Sequence, residues 1–428
     1  MFSNATGRVP VQAGQRPFPD RALPTDAAIS AAPPASPYLG PATGAQEAAL
    51  EALINTDLLA EELVASRRTR AAGGTVTVFI PAHNEAASIR ATLRSLQQQT
   101  RLPTQIVVVC DNCTDDTAAI AARHGAFVFN TVGNKAKKAG ALNQALTRML
   151  PSLRSDDLVL VMDADSLLSE DWLRFASATL DRRSVVGAVC GVFLGEPGGG
   201  IIGQMQRNEY FRYARTVQRR PQAPVLSGTG TLFRVSALRE VARERGQRLP
   251  GTRGEFYSRT SITEDDEITL ALKTLGHRCI PADGCHTTTE VMPTWPDLWR
   301  QRVRWQKGAL GDLWDYGLTR VTATYWLRQF AIYAGLAVSI ACWWIILTSI
   351  AHNPGFNVAW TAGILGVNFI ERLWTVRRAG PWGMLISILM VPEFLYDIFR
   401  MGVFIRALAD ALTGRDIAWG HVNRQAAK

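Results

Sequence analysis

Three short apolar runs constrain this chain more than any other feature: residues 75–81 (TVTVFIP), 105–111 (QIVVVCD) and 157–165 (DLVLVMDAD). They are rich in β-branched residues, almost continuously apolar, and bounded by turn residues, the pattern of strands buried on both faces. Stretches with helical character, SIRATLRSLQQQ and DTAAIAARHG, separate them. Strand and helix in alternation predict a parallel sheet covered on both sides, a Rossmann-like α/β domain. Ligands of such sheets bind beyond the carboxyl ends of the strands. Chemistry is therefore sought at Asn84, Glu85, Asp111, Asp163 and Asp165, which terminate the runs.

The 428 residues are 47% hydrophobic and 19% charged, which excludes a disordered or coiled-coil chain and leaves room for more than one domain. Residues 1–70 open Pro/Ala/Gly-rich and continue as an Ala/Leu/Glu-rich stretch over 45–64 that reads as a helix. No basic start followed by a long apolar core suggests a signal peptide or an N-terminal span, so a cytoplasmic start is expected. Residues 71–294 then hold the α/β domain, and 295–328 an amphipathic interface segment. A membrane region of two or three helices is expected over 329–406, before a basic tail at 407–428.

The membrane expectation rests on residues 330–351, which run for 22 positions without a charge, enough to cross a hydrocarbon core of about 30 Å. A second apolar run covers 356–370, and residues 352–355 between the two fit a tight hairpin. Arg320 and Arg328 before the first run, and Arg372, Arg377 and Arg378 after the second, orient both flanks toward the cytoplasm. Residues 382–405 are read as a third membrane segment of open topology, because Pro392, Glu393, Asp397 and Arg400 interrupt it. Six cysteines at 110, 113, 190, 279, 285 and 342 include one CxxC. Lacking a second ligand pair, it is read as small buried thiols rather than zinc.

Asp163 and Asp165 place two hard oxygen donors at the mouth of the sheet, suited to Mg²⁺ or Mn²⁺ beside a diphosphate. A DxD alone is a common turn. Asp111 could accept hydrogen bonds from a nucleobase, and Lys135, Lys137 and Lys138 could meet phosphate, although a lysine cluster is usually a solvated face. Thr263, Glu264 and Asp265 open a helix, with Thr263 as its candidate cap; a carboxylate there could act as general base. Gln301, Arg304 and Trp305 fall at i, i+3 and i+4 in QRVRW. On a helix they share a face that offers an amide, a planar cation and an aromatic platform for a sugar ring.

Together, PAHNE, Asp111, KAGALN, DAD, SGTGTLFR, TED and QRVRW, in that order, resemble the membrane-bound, processive type of family 2 glycosyltransferases, which includes cellulose, hyaluronan and poly-N-acetylglucosamine synthases. The resemblance implies a nucleotide-diphospho-sugar transferase (GT-A) fold followed by transmembrane helices. It implies that Pro81, Ala82, Asn84, Glu85 and Asp111 hold the uridine and that Lys138 lies near the nucleotide. Asp163 would contact the nucleotide sugar or metal, Asp165 would coordinate Mg²⁺ or Mn²⁺, and Asp265 would be the catalytic base. Gln301 and Arg304 would contact the diphosphate, while Gly228, Thr229, Glu264 and Trp305 would serve the acceptor.

The implied reaction is one inverting displacement that makes a β-glycoside from UDP-GlcNAc or UDP-Glc and releases UDP. A non-processive transferase to lipid or protein, and a non-catalytic nucleotide-sugar-binding subunit of a synthase, are the competing readings. The related synthases commonly carry N-terminal spans and more helices than are seen here, so an oligomer, an export partner, a short product or a lipid-linked acceptor is expected alongside membrane lipids. The formal net charge of +9 lies largely around the expected spans, which favours anionic lipid over nucleic acid. A plasma-membrane, multi-pass location with a cytoplasmic catalytic domain follows from this reading.

Overall fold

The computed structural model describes residues 74–352, 358–377 and 379–414. The helix expected over 45–64, the hairpin expected over 352–355 apart from His352, which ends a helix, and the tail beyond 414 lie outside them. β1 (Val76–Ala82), β2 (Gln105–Cys110), β3 (Phe127–Asn130) and β4 (Leu158–Val161) are parallel neighbours in the order β3-β2-β1-β4. Period-two alternation sends Phe79, Val107, Val109, Val159 and Val161 into one core. Val78, Ile80, Val108, Leu158 and Leu160 enter the other. Both faces are thus packed, as the apolar runs predict, and each fully buried side chain of this kind stabilises the fold by about 1.5–3 kcal/mol.

α1 (Ile89–Gln97) buries Ile89, Leu93 and Leu96 against one face of the sheet, and α2 (Thr117–Arg123) lies beside it. α3 (Lys137–Met149) covers the other face with Leu142, Leu146 and Met149. The second half of the sheet departs from the parallel expectation. β5 (Leu167–Leu168), β6 (Val186–Gly195), β7 (Thr231–Arg234) and β8 (Arg278–Thr289) complete the order β3-β2-β1-β4-β7-β6-β8-β5. β7 is antiparallel to both β4 and β6, and β5 is antiparallel to β8. The reversal starts β7 at the rim where β4 ends, so that the N–H of Asp163 donates to the carbonyl of Gly228 at 3.1 Å.

α4 (Trp172–Asp181), α5 (Gly200–Gln218), α6 (Val235–Glu244) and α7 (Glu264–Thr274) pack around this half. α8 (Trp295–Tyr316) follows, with Thr294 accepting from the N–H of Asp297 at its N-cap. α9 (Ala323–His352), α10 (Val358–Val376), α11 (Pro381–Leu389) and α12 (Val391–Thr413) close the chain. Among the described residues no helix is long and apolar enough to cross a membrane; many side chains of the two expected spans, at 343–362 especially, are not among them. The third expected segment is two helices, broken at Met390, whose φ is 54°. Its two carboxylates are paired within the protein: Glu393 is buried and receives Arg212 of α5 at 2.8 Å and Arg372 of α10 at 2.6 Å, and Arg372 also pairs with Asp397. The helix also runs to Thr413, past the boundary at 406 drawn from sequence.

Candidate active site

The rim at the ends of β1 and β2 is built from unusual backbone. Asn84, Asn112 and Lys137 adopt φ of 57°, 50° and 53°, the left-handed region that Asn tolerates better than most residues. Asn84 Oδ1 accepts the N–H of Thr114 at 2.7 Å, tying the turn after β1 to the turn after β2. Pro81 and Ala82 are the last residues of β1, and Ala82 accepts the N–H of Asp111 at 2.8 Å. Glu85 turns inward to the fold: its carbonyl accepts from Ser88 and Ile89 and its carboxylate from Ser88 Oγ at 2.8 Å, at the start of α1.

Asp111 is buried at the same rim, where Oδ1 accepts from Thr131 Oγ1 and Asn134 Nδ2, both at 2.8 Å, and from Asn112 Nδ2 at 3.1 Å. These bonds fix the carboxylate orientation and draw on one oxygen alone. The six cysteines are free thiols, and Cys113 Sγ donates to the carbonyl of Ala82 at 3.3 Å.

The chemistry-bearing groups converge where α3, the DAD turn, the SGTG turn and the start of α7 meet. Lys138 Nζ lies 2.6 Å from Asp163 Oδ1 and 2.7 Å from Glu264 Oε1. The N–H of Gly228 donates to Asp265 Oδ2 at 3.3 Å. A β-carbon on Gly228 would stand 3.0 Å from Lys138 Nζ, 3.4 Å from Asp163 Oδ2 and 3.6 Å from Asp265 Oδ2. Gly228 is therefore the point around which the three charged groups are arranged.

Burial works against the Lys138 charge, but Asp163, Glu264 and Asp265 more than offset it and hold the ammonium well above its ordinary range. Burial likewise pushes at Glu264, yet Lys138 keeps that carboxyl below its usual value. Asp265 comes out the other way: burial first, then the charge of Glu264, pushes it up to about 6. One cation thus holds Glu264 ionised and leaves Asp265 poised near neutral pH, the condition under which a general base works best.

The metal expectation can be judged on the donor set. Among the described residues no group of three or more His, Cys, Asp or Glu converges as a closed cage. Mg²⁺ or Mn²⁺ in sugar-nucleotide chemistry needs no closed cage, since one or two carboxylates plus substrate phosphates and water complete its shell. Asp163 and Asp165, two residues apart on the turn after β4, fit that demand. Ser166 Oγ donates to Asp165 Oδ1 at 3.3 Å.

QRVRW is helical, within α8, so Gln301, Arg304 and Trp305 do share a face. Arg304 Nη1 donates to the carbonyl of Ile262 at 3.1 Å, one residue before Thr263. Gln301 Oε1 is buried and accepts no hydrogen bond, an acceptor left over for something the fold does not supply. Thr263 stands at the N-cap position of α7 but does not cap it; its hydroxyl donates to Asp312 Oδ2 at 2.9 Å instead. Glu264, grouped with the acceptor residues from sequence, is the second partner of Lys138. Thr229 is bound back to its own turn, with its Oγ1 2.6 Å from Ser227 Oγ.

Arg302 was not singled out by its sequence position. Its guanidinium lies 4.4 Å over the ring of Trp305 and pairs with Glu209 of α5 at 2.8 Å, while Tyr396 of α12 donates to the same Glu209 oxygen at 2.6 Å. It covers one face of the Trp305 ring and is itself held by Glu209. No local signal marks it, because Glu209 and Tyr396 come from distant parts of the chain.

With this geometry in place, residues 77–242 match the family model Glycosyl transferase family 2. Poly-beta-1,6-N-acetyl-D-glucosamine synthase of Staphylococcus aureus is 25% identical over 240 residues, 54% of this chain and 54% of that protein. The protein of the same name from Staphylococcus epidermidis is 25% identical over 261 residues, 58% of this chain and 59% of its own length. The chain thus spans just over half the length of the curated relatives it matches. In fold it is similar to the mannosyltransferase PcManGT from Pyrobaculum calidifontis, solved with GDP-Man and Mn²⁺, at a TM-score of 0.50 and 18% identity over 87% of this chain and 99% of that one. The strands and helices that carry Asp111, Lys138, Asp163 and Gly228 thus lie within the stretch that matches the family 2 glycosyltransferase model, on a mixed α/β fold of GT-A type.

Proposed function

We propose that the chain is an inverting β-glycosyltransferase that takes UDP-GlcNAc or UDP-Glc and extends a glycan at the cytoplasmic face of the plasma membrane, anchored by the apolar helices after α8. The observation that carries this reading is the convergence of Lys138, Asp163 and Asp265 on Gly228, with Asp265 raised to about 6. The likeness to poly-beta-1,6-N-acetyl-D-glucosamine synthases supports the substrate class.

In the proposed reaction the Asp111 rim and the Pro81–Glu85 turn hold the nucleoside, and Lys138 meets phosphate charge. Asp163 and Asp165 would hold Mg²⁺ or Mn²⁺, which when bound neutralises diphosphate charge. An acceptor hydroxyl, laid on Trp305, gives its proton to Asp265 as its oxygen bonds to the anomeric carbon. The bond from that carbon to the diphosphate oxygen breaks on the opposite side, and UDP leaves with the electron pair. Gln301 and Arg304 supply hydrogen bonds to the departing diphosphate, a use for the unpartnered Gln301 Oε1 only through a bridging water or a sugar hydroxyl.

The test is UDP release by the full chain in detergent or nanodiscs with Mg²⁺ or Mn²⁺, over a panel of UDP-sugars and GDP-mannose, with product size read in the same samples. A UDP-GlcNAc or UDP-Glc preference and a ladder of products is expected. A single-addition product replaces polymer synthesis with transfer to one lipid or protein acceptor, and full transfer by Asp265→Asn overturns the base assignment.

A further inference from the structure

A glycine inside a helix costs about 1 kcal/mol against alanine, so Gly308 in the middle of α8 asks for a reason. The structure supplies one: a β-carbon there would lie 2.2 Å from Thr263 Oγ1 and 2.5 Å from Thr263 Cγ2. Thr263 is a short, pinned side chain and cannot swing away. Its hydroxyl donates to Asp312 Oδ2 at 2.9 Å and its N–H donates to Ser261 Oγ at 3.1 Å. Thr263 and Asp312 are both buried. One turn of α8 before Gly308, Arg304 Nη1 holds the carbonyl of Ile262.

Residues 304, 308 and 312 are spaced i, i+4, i+8, so one ridge of α8 grips the 262–263 peptide at three successive turns. The two residues that follow this peptide are Glu264, on Lys138, and Asp265. The same ridge begins within QRVRW, whose Gln301 and Trp305 lie on the adjoining surface of the helix. We infer that Gly308, Thr263 and Asp312 form a latch that sets the distance between the base Asp265 and the Gln301–Trp305 face, which makes Asp312 a positioning residue for sugar transfer. The inference rests on the glycosyltransferase reading above and extends it to residues outside the motif set.

Burial, and after it the charge of Asp266, holds the Asp312 carboxyl well above its usual range. An asparagine therefore resembles the form Asp312 takes in the fold, and its amide oxygen still accepts from Thr263. That isostere separates latch from bulk packing.

The experiment compares full-length wild type with Asp312→Asn, Asp312→Ala, Thr263→Val and the Asp312→Ala/Thr263→Val double variant. Two readouts are taken: steady-state UDP release, and backbone amide exchange of residues 261–266 without substrate. Asp312→Ala and Thr263→Val are each expected to lower kcat by about 10–100-fold, the scale of a misplacement near 1 Å. KM for the UDP-sugar should stay within about threefold, because the nucleotide rim is untouched. The double variant should be no worse than the poorer single one, Asp312→Asn should stay close to wild type, and exchange should rise in the Ala and Val variants alone.

Multiplying effects in the double variant, or Asp312→Asn as impaired as Asp312→Ala, overturns the latch. Should Asp312→Ala fail to fold, Thr263→Val, which changes one hydroxyl into a methyl, carries the same comparison. Absence of transfer in the wild type overturns the glycosyltransferase reading instead; the exchange data then decide whether the latch exists, unchanged exchange in Thr263→Val refuting it.

Discussion

Lys138→Met isolates what the central cation does. The substitution keeps most of the aliphatic stem and removes a charge that lies 2.6 Å from Asp163 and 2.7 Å from Glu264. The Lys138 and Glu264 side chains are 15% and 12% exposed, so solvent cannot replace the lost partner. Breaking such a buried pair costs about 3–5 kcal/mol, which for a domain of this size lowers the thermal midpoint by roughly 6–20 °C.

The loss should depend on pH with a definite sign. In the wild type Glu264 sits below its usual range, so its pairing stabilises the fold above the unfolded value near 4.5 and fades as pH falls below it. In the variant the cation no longer offsets burial, so Glu264 and Asp265 are both driven upward and the native state takes up protons as pH falls from 8 to 5. The deficit is therefore largest at pH 8 and shrinks as pH falls, because protonation relieves the variant's buried carboxyls and, below about 4.5, weakens the wild-type pair as well. Thermal unfolding of the full chain in detergent at pH 8, 6 and 4.5 reads this directly. An equal drop at all three values would mean that Lys138 matters through packing, and the electrostatic account of the site would fall.

Gly228→Ala puts a methyl group 3.0 Å from the Lys138 ammonium, which two ion pairs prevent from yielding; kcat should drop about 10–100-fold with the thermal midpoint little changed, as UDP release and unfolding curves would show. Asp265 at about 6 predicts that log kcat/KM climbs with unit slope below about pH 6 and flattens above it; a flat profile from pH 5 to 8 would argue against that base. Burial first and Asp265 second push Asp266 up to about 7, and its Oδ1 has no partner. Because that group is held protonated in the fold, wild-type stability declines as pH rises from about 4 through about 7, so Asp266→Asn should gain stability at pH 8, by up to about 4 kcal/mol, and gain little at pH 4. Arg302→Lys loses the planar stack on Trp305 and should raise the acceptor KM about tenfold while leaving that of the nucleotide sugar alone.

Much of the rim at the strand ends could be read from sequence because its signals are local. A strand that is apolar on both faces must stop where its backbone reaches solvent, and the polar residues at Asp111 and Asp163 mark those stops. QRVRW could be read for the same reason: helical spacing alone brings Gln301, Arg304 and Trp305 to one side. The reversal of β7 could not be read, since four residues of TLFR pair equally well in either direction and only the path of α5 decides. Thr263 was expected to cap its helix by a local rule, and a longer-range partner, Asp312, took its hydroxyl. Gly308 offered a signal in principle, as a helix-weakening residue in an otherwise strongly helical stretch. The Arg302–Glu209 pair offered none, because a buried ion pair across 93 positions leaves no trace in spacing.

The reversal between β4 and β7 divides the protein more sharply than its helices do. β3, β2, β1 and β4, with α3, deliver Asp111, Lys138 and Asp163 from residues before 166, whereas the turn before β7 and the elements after it deliver Gly228, Asp265 and the α8 face. Along the rim the two halves share the bond from the Asp163 N–H to the Gly228 carbonyl and the ion pairs of Lys138. On the reading proposed here, each half can be inherited as a cassette. A chimera that crosses over between residues 166 and 227 would keep one parent's nucleotide preference and take the other's acceptor, so recombination could mix donors and glycans without inventing a new centre.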